Sequence, residues 1–205
     1  MEILTKKHRN SEFNLKVEII KKHFEENNIH LDKQIAKTVY FLKAYGFNPV
    51  MSCEGHTTSS TVNTFRRFYP FVQITLNNKI IFDLEPQDKR SYFQVVNEDH
   101  FQSLKRLENL IVEFNYTRHR FSEKNSEIGV VFTDDIFNPL RFREAIEKHW
   151  NVNVMICDIG VHGMLGMPQE LLNNDLRNRF LERTQREMKQ FTRFMRWNAI
   201  QNGIK

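Results

Sequence analysis

Apolar residues recur every three or four positions along several stretches of the chain, a period that predicts amphipathic helices. In the first stretch, Leu15, Ile19 and Phe24 fall near one face of the predicted helix. Asp32 is the predicted N-cap of the second helix, and Gly46 is its predicted C′ residue. The predicted helices cover residues 15–28, 33–45, 98–118, 139–149 and about 169–201.

Short apolar runs and strict alternation predict the strands. Single strands are expected at residues 49–53, 128–133 and 152–158. Residues 72–84 predict a β-hairpin, because two alternating segments flank Asn77-Asn78, a pair that suits a two-residue turn.

Helices separate most of these strands, whereas one pair is joined as a hairpin. This order predicts an α+β or mixed α/β fold: a mixed or antiparallel sheet of about five strands with a central hairpin, flanking helices and a long C-terminal helix. Residues 1–13 are expected to form a flexible N-terminus, and residues 14–205 a single α+β domain.

The composition narrows the class of protein. The chain has 205 residues, 40% of them hydrophobic, which is enough to bury a core and excludes wholesale disorder. Two cysteines argue against a disulfide scaffold. No stretch reaches the roughly 18 apolar residues of a membrane span, and the charged start of the sequence contains no apolar signal segment. We therefore predict a cytoplasmic protein.

The densest chemistry lies in Ser52-Cys53-Glu54-Gly55-His56, where a predicted strand ends and a polar loop begins. Strand ends hold loop residues rigidly, and Cys, Glu and His provide a nucleophile, a carboxylate and a tunable base. One interpretation makes Glu54 and His56 catalytic, with Cys53 packed inward as a structural thiol or, alternatively, acting as the nucleophile. Ser52 is then a candidate substrate-binding residue.

The run AYGFNPVMSCEGH, followed after a polar loop by YPFVQI, resembles a group of uncharacterised bacterial and phage proteins. These proteins share a helix, a Gly-Phe or Gly-Ile pair, a strand ending in Ser-Cys-Glu-Gly-His, and then Pro-x-Val-x-Ile. The matching positions are Gly46, Phe47, Ser52–His56, Pro70, Val72 and Ile74.

The same strand end is also distantly similar to the tRNA wybutosine-synthesising methyltransferase family, whose motif reads Ser-Ser-Cys-Ser-Gly-Arg. Ser52, Cys53 and Gly55 match that motif, whereas Glu54 and His56 do not. The likeness implies a nucleotide-like substrate, and the two departures count against the same activity.

Two other interpretations of the motif remain. Cys53 and His56 have chelate spacing, and Cys157 and His162 form a second Cys/His pair near another strand end. If those strands are neighbours, the four side chains could surround a divalent metal, with zinc as the candidate. In the alternative, both cysteines are core residues and both histidines are polar loop residues.

Further residues could join the site. Asp83 follows the motif closely in the chain and is a candidate catalytic carboxylate, and Asp158 lies at another strand end. His162, flanked by glycine and apolar residues, is a candidate substrate-binding residue. An acidic residue at a strand end is also typical of turns and helix caps.

The net charge of +5 is concentrated near the C-terminus, because residues 172–197 carry seven basic and three acidic groups. Arg179, Arg186 and Arg193 recur every seven residues, opposite the apolar face of the long helix. Guanidinium groups suit phosphate oxygens, and the nearby Phe194 and Trp197 could stack on bases. A membrane surface, a protein partner or a solvated face would explain the same stripe.

Two functions follow from these patterns. The first is a small cytoplasmic enzyme, a hydrolase or group transferase acting on a phosphate-bearing or nucleotide-like substrate at the Cys-Glu-Gly-His strand end. The alternative is a non-enzymatic module that binds nucleic acid or a protein through the arginine-rich helix.

Overall fold

The computed structural model describes residues 2–56, 69–75, 98–118, 126–132, 151–158 and 174–204. The helices are α1 (Glu2–Glu26), α2 (Ala36–Ala44), α3 (Glu98–Arg118) and α4 (Asn174–Asn202). The strands are β1 (Asn48–Cys53), β2 (Phe71–Thr75), β3 (Ser126–Phe132) and β4 (Asn151–Asp158).

The strands of the described residues form one antiparallel sheet in the order β1-β2-β4-β3. The prediction of mixed helix and strand with a long C-terminal helix is confirmed, but the sheet has four strands here, not about five. Residues 71–75 pair with β1 on one side and β4 on the other, so their partners are not the predicted hairpin strand. That strand, residues 80–84, and the predicted helix at 139–149 lie outside the described residues.

One hydrophobic core joins the helices to one face of the sheet. Val72 and Ile74 of β2, with Ile128 of β3 and Val154 of β4, belong to the same buried cluster as the helix residues. Aromatic rings dominate its helical side: Phe13 contacts Phe41 and Tyr45 edge-on, and Phe114 packs against Phe191 and Phe194. Edge-on contacts between such rings contribute beyond the area that they bury.

The predicted face of the long first helix is buried only in part. Leu15 and Ile19 are 63% and 60% exposed, whereas Phe13 and Phe24 are buried. The buried phenylalanines are eleven residues apart, three helical turns, and Val17 and Ile20 lie between them on the core side. Because α1 begins at Glu2, the described residues of the predicted flexible N-terminus are helical.

The end of α2 follows local sequence rules. Gly46 has a φ of +88°, and its N–H donates to the Lys43 carbonyl oxygen, while the Phe47 N–H donates to that of Leu42. This pair of bonds is the Schellman arrangement, so the prediction of Gly46 as the C′ residue is confirmed.

Among the described residues, no helix is long and apolar enough to cross a membrane.

Candidate functional site

The chain leaves β1 with a left-handed backbone conformation at Gly55, a position that has no room for a side chain. Gly55 is buried with a φ of +83°. A Cβ at this position would lie 2.5 Å from Cδ1 of Leu181 and 3.0 Å from the carbonyl carbon of Tyr69. The motif is therefore packed closely against α4 on one side and the start of β2 on the other.

The end of β1 places the Cys53 thiol and the His56 imidazole beside the Asp32 carboxylate. Ligand atoms of Asp32, Cys53 and His56 all lie within 4.8 Å of one another. His56 Nε2 is 3.8 Å from Asp32 Oδ2, and the two side chains are 37% and 40% exposed. The three side chains lie close enough to hold a metal ion at a position that solvent can reach.

Asp32 does not have the role that its sequence position predicts. The N-cap of α2 is Ile35, which makes no side-chain capping bond. The Asp32 carboxylate instead accepts a hydrogen bond from the Glu54 N–H, at 3.2 Å from nitrogen to Oδ2. This bond ties the carboxylate to the end of β1 and orients it toward Cys53 and His56, as outer hydrogen bonds orient metal ligands.

Glu54 is held away from the three clustered side chains. Its Oε2 accepts from the Gln34 N–H at 2.8 Å, in the turn that precedes α2. Its carbonyl oxygen accepts from Gln185 Nε2 of α4 at 2.9 Å. Successive residues of an extended chain point to opposite sides, which explains why Cys53 and Glu54 face different neighbours. Glu54, a predicted catalytic residue, therefore connects the motif to α2 and α4.

The backbone of the motif also contacts its own thiol. Gly55 N–H donates toward Cys53 Sγ at 3.3 Å. Ser52, a predicted substrate-binding residue, is partly buried on β1 opposite Val72 of β2.

The condition for the four-ligand site is not met. That arrangement required β1 and β4 to be neighbours, but β2 lies between them, so their backbones are about 10 Å apart. Cys157 pairs with Glu127 of β3, on the other side of β4. His162 and Asp83 lie outside the described residues.

Sequence reasoning missed Asp32 as a site residue. Its position before a helix predicts a cap, and no spacing rule joins it to Cys53 across 21 positions. The one available signal was the alternation of side chains along an extended strand. It places Glu54 on the opposite side from Cys53, so a carboxylate beside Cys53 has to come from another part of the chain.

The arginine stripe of α4, defined as Arg179, Arg186 and Arg193, is exposed along its whole length. Its outer residues are 14 positions apart, or about 21 Å along the helix. Glu187 is buried and does not interrupt it. Of the two aromatic side chains beside it, Trp197 is 48% exposed but Phe194 is buried, so the prediction that Phe194 stacks on bases is wrong.

The stripe lies on a different face of α4 from the residues that contact the motif. Gly55 packs against Leu181, and Glu54 accepts from Gln185. Arg179 precedes Leu181 by two residues and Arg186 follows Gln185 directly. Arg179 and Arg186 therefore lie within one helical turn of these anchor points along the axis, but leave α4 roughly 100–160° around the helix from Leu181 and Gln185.

Comparison of this chain with protein-family models, with curated proteins and with solved structures finds no match.

Proposed function

We propose that this chain is a zinc-dependent enzyme that hydrolyses, or transfers a group on, a phosphate-bearing or nucleotide-like substrate. The observation that carries the proposal is the close approach of Asp32, Cys53 and His56 at a partly exposed strand end. The distant likeness of the strand end to a tRNA-modifying family supports the substrate class.

The donor set fits zinc. A thiolate and an imidazole favour zinc over magnesium or calcium, which prefer oxygen ligands. With bonds of 2.0–2.3 Å, ligand atoms of a tetrahedral zinc lie roughly 3.3–3.8 Å apart. The 3.8 Å between His56 and Asp32 meets that spacing, and because all three ligand atoms lie within 4.8 Å of one another, a closure of at most about 1 Å is needed.

Three protein ligands leave one coordination position open, the arrangement typical of catalytic zinc. In such a site zinc supplies a Lewis acid and an activated water. The residues of this chain have separate tasks: Asp32, Cys53 and His56 bind the metal, and Glu54 positions Asp32 through its backbone N–H.

Metal content of the purified chain tests the proposal. Protein purified without chelators and then exposed to zinc should hold about one zinc per chain, measured by elemental analysis after dialysis. Cobalt in place of zinc should give a thiolate-to-metal absorption band. The Cys53→Ser variant should lose that band and most of the bound metal, because one of three ligands becomes a poor one.

The matched control is His30→Gln, since His30 is exposed and precedes Asp32 by only two residues. It should keep the metal content of the unaltered chain, whereas His56→Gln should lose it. Zinc-stimulated cleavage of an activated phosphodiester should then follow metal content across the variants. An unaltered chain that binds no zinc, or a Cys53→Ser variant that binds it equally, contradicts the proposal.

A second function, nucleic-acid binding without catalysis, is favoured by the exposed arginine stripe. A stripe about 21 Å long is longer than one nucleotide and suits a strand with several phosphates. Exposed Trp197 provides one aromatic face beside it. This proposal needs no metal, so the two functions can be tested apart.

Salt dependence of RNA binding tests the second function. Arg186→Gln with Arg193→Gln should weaken binding to single-stranded RNA and flatten the slope of log affinity against log salt by about 1.4, from two lost phosphate contacts. Lys21→Gln with Lys22→Gln removes the same charge from α1, where both lysines pair with glutamates, and serves as control. Equal slopes in the two double variants reject the stripe as a nucleic-acid interface.

A further inference from the structure

The peptide group that joins Glu54 to Gly55 is held by hydrogen bonds at both of its polar atoms. Its carbonyl oxygen accepts from the side chain of Gln185, with 2.9 Å between Nε2 and the oxygen. Its N–H, which belongs to Gly55, donates toward Cys53 Sγ at 3.3 Å. The Gln185 amide of α4 and the Cys53 sulfur of the metal-binding cluster therefore contact opposite ends of a single peptide group.

This peptide group links the direction of one hydrogen bond to the direction of the other. The peptide is trans, and in a planar trans peptide the C=O and the N–H point in opposite directions. A donor that fixes the Glu54 carbonyl therefore also fixes the direction of the Gly55 N–H. Glycine can adopt several backbone conformations at little cost, so this peptide needs an anchor from outside the motif to keep one orientation.

The anchor comes from a well-packed part of α4. Gln185 lies in the interior of this 29-residue helix, and the nearby Thr184 and Met188 are buried. Leu181, one turn earlier, lies so close to Gly55 that an added Cβ would be 2.5 Å from its Cδ1. Residues four apart are neighbours on the helix surface, so one face of α4 contacts the Glu54–Gly55 peptide twice. A site held by a packed helix keeps its geometry better than one held by a loop.

The preceding peptide holds the carboxylate of the cluster in the same manner. The Glu54 N–H donates to Asp32 Oδ2 at 3.2 Å, and the next N–H along the chain, that of Gly55, donates toward Cys53 Sγ. Successive backbone N–H groups form concave surfaces that suit negatively charged atoms. Each of these two N–H groups contacts a different proposed metal ligand, and Gln185 determines the direction of the second one.

We propose that Gln185 is a positioning residue of this site: by holding the Glu54 carbonyl, it directs the Gly55 N–H at the Cys53 sulfur and so tunes that sulfur as a ligand. The inference rests on the proposed zinc function and assigns one part of the site to α4. A hydrogen bond to a sulfur ligand withdraws electron density from it, and such outer contacts tune both metal affinity and electronic properties. Without Gln185, the sulfur becomes a stronger electron donor to the metal and its position is less well fixed.

Cobalt-substituted protein tests the effect on the sulfur. Gln185→Leu removes the donor at a similar side-chain volume. It should move the thiolate-to-cobalt absorption band to longer wavelength and lower metal affinity about tenfold. Gln185→Lys keeps an N–H donor and should return the band toward its position in the unaltered chain. Gln190→Leu is the matched control and should change neither quantity, because Gln190 is a partly buried glutamine that leaves α4 about 140° around the helix from Gln185.

The metal-free chain separates this inference from the zinc proposal. In nuclear magnetic resonance spectra, the Gly55 amide should change its proton shift and exchange faster in Gln185→Leu but not in Gln190→Leu. Thermal denaturation checks that both variants fold alike. An unaltered chain that binds neither zinc nor cobalt overturns the zinc proposal alone, and the Gly55 amide then still reports on Gln185. The role of Gln185 is overturned by a Gly55 amide that is unchanged in Gln185→Leu, or by a cobalt band that stays at the wavelength of the unaltered chain.

Discussion

The C-terminal end of α2 is closed by hydrogen bonds between residues that are neighbours in the sequence. The turn that precedes α2 is instead hydrogen-bonded to residues about twenty positions away. Gly46 and Phe47 close the last turn on carbonyl groups of α2 itself. At the other end, the Gln34 N–H donates to Glu54, whose own N–H donates to Asp32. The three side chains that we propose as metal ligands lie beside the second arrangement.

A glycine lies near each end of α2, Gly46 directly after it and Gly55 after β1, and the two glycines are constrained differently. Gly46 and Gly55 both have positive φ values, of +88° and +83°. A Cβ on Gly46 would meet no atom closer than Arg106 Nη2 at 3.9 Å, an ordinary contact. A Cβ on Gly55 would overlap Leu181 and press on the backbone of Tyr69. The geometry of the site end therefore depends on long-range packing and not on backbone conformation alone.

Gly55→Ala should have the largest effect on stability. Left-handed backbone costs a residue with a Cβ about 1–2 kcal/mol, and the overlap with Leu181 and the Tyr69 backbone adds roughly 1–3 kcal/mol. We expect the free energy of unfolding in urea to fall by about 2–5 kcal/mol. The variant should also lose zinc affinity, because Gly55 joins Cys53 to His56.

Gly46→Ala is the control for that experiment. It carries the same backbone penalty without the overlap, so the loss should be about 1–2 kcal/mol. Zinc affinity should stay at the value of the unaltered chain. If both alanine variants lose the same stability, long-range packing does not distinguish Gly55 from Gly46.

This difference explains how much of the fold and site the sequence could predict. The bounds of α3 and the C′ role of Gly46 depend on periodicity and turn chemistry within a few residues, and both predictions are confirmed. The direction of Asp32 depends on where β1 ends, more than twenty residues later, and local pattern assigned it to a cap.

The predicted face of α1 is only partly correct, for a related reason. Leu15 and Ile19 have helical spacing, but Phe13 and Phe24 bury more apolar surface against α2. Periodicity shows which residues share a face, and the larger aromatic side chains decide which face is buried.

Tyr45→Phe, at the C-terminal end of α2, should have an intermediate effect on stability. The Tyr45 hydroxyl donates to the Met195 carbonyl oxygen at 2.6 Å and lies 3.2 Å from Asn198 Oδ1. Its loss should cost about 1.5 kcal/mol at neutral pH, the cost of leaving buried acceptors without a donor.

The same substitution should change the response to alkaline pH. Burial, reinforced by the charge of Glu113, raises the pKa of Tyr45 well above its usual value. Below about pH 10 both folded and unfolded chains keep this proton and the full stability remains. Above it the unfolded chain releases the proton first, so stability falls as pH rises. Urea unfolding between pH 8 and 11 should show a shallower decline for Tyr45→Phe, but not for Tyr116→Phe at an exposed position. Parallel declines in all three proteins contradict this account.

Glu54→Ala should have the smallest effect on stability. It also tests whether Glu54 acts only by positioning Asp32 or has a catalytic role of its own. Its carboxylate accepts one exposed backbone N–H, so removal should cost about 0.5 kcal/mol in urea unfolding. Glu54→Gln keeps an oxygen acceptor and should cost less. Because the backbone N–H that orients Asp32 is unchanged in both variants, zinc affinity should change by less than about threefold. Any phosphodiester cleavage should also persist in the glutamine variant. A glutamine variant that keeps its zinc and stability but loses cleavage would instead make Glu54 a catalytic base.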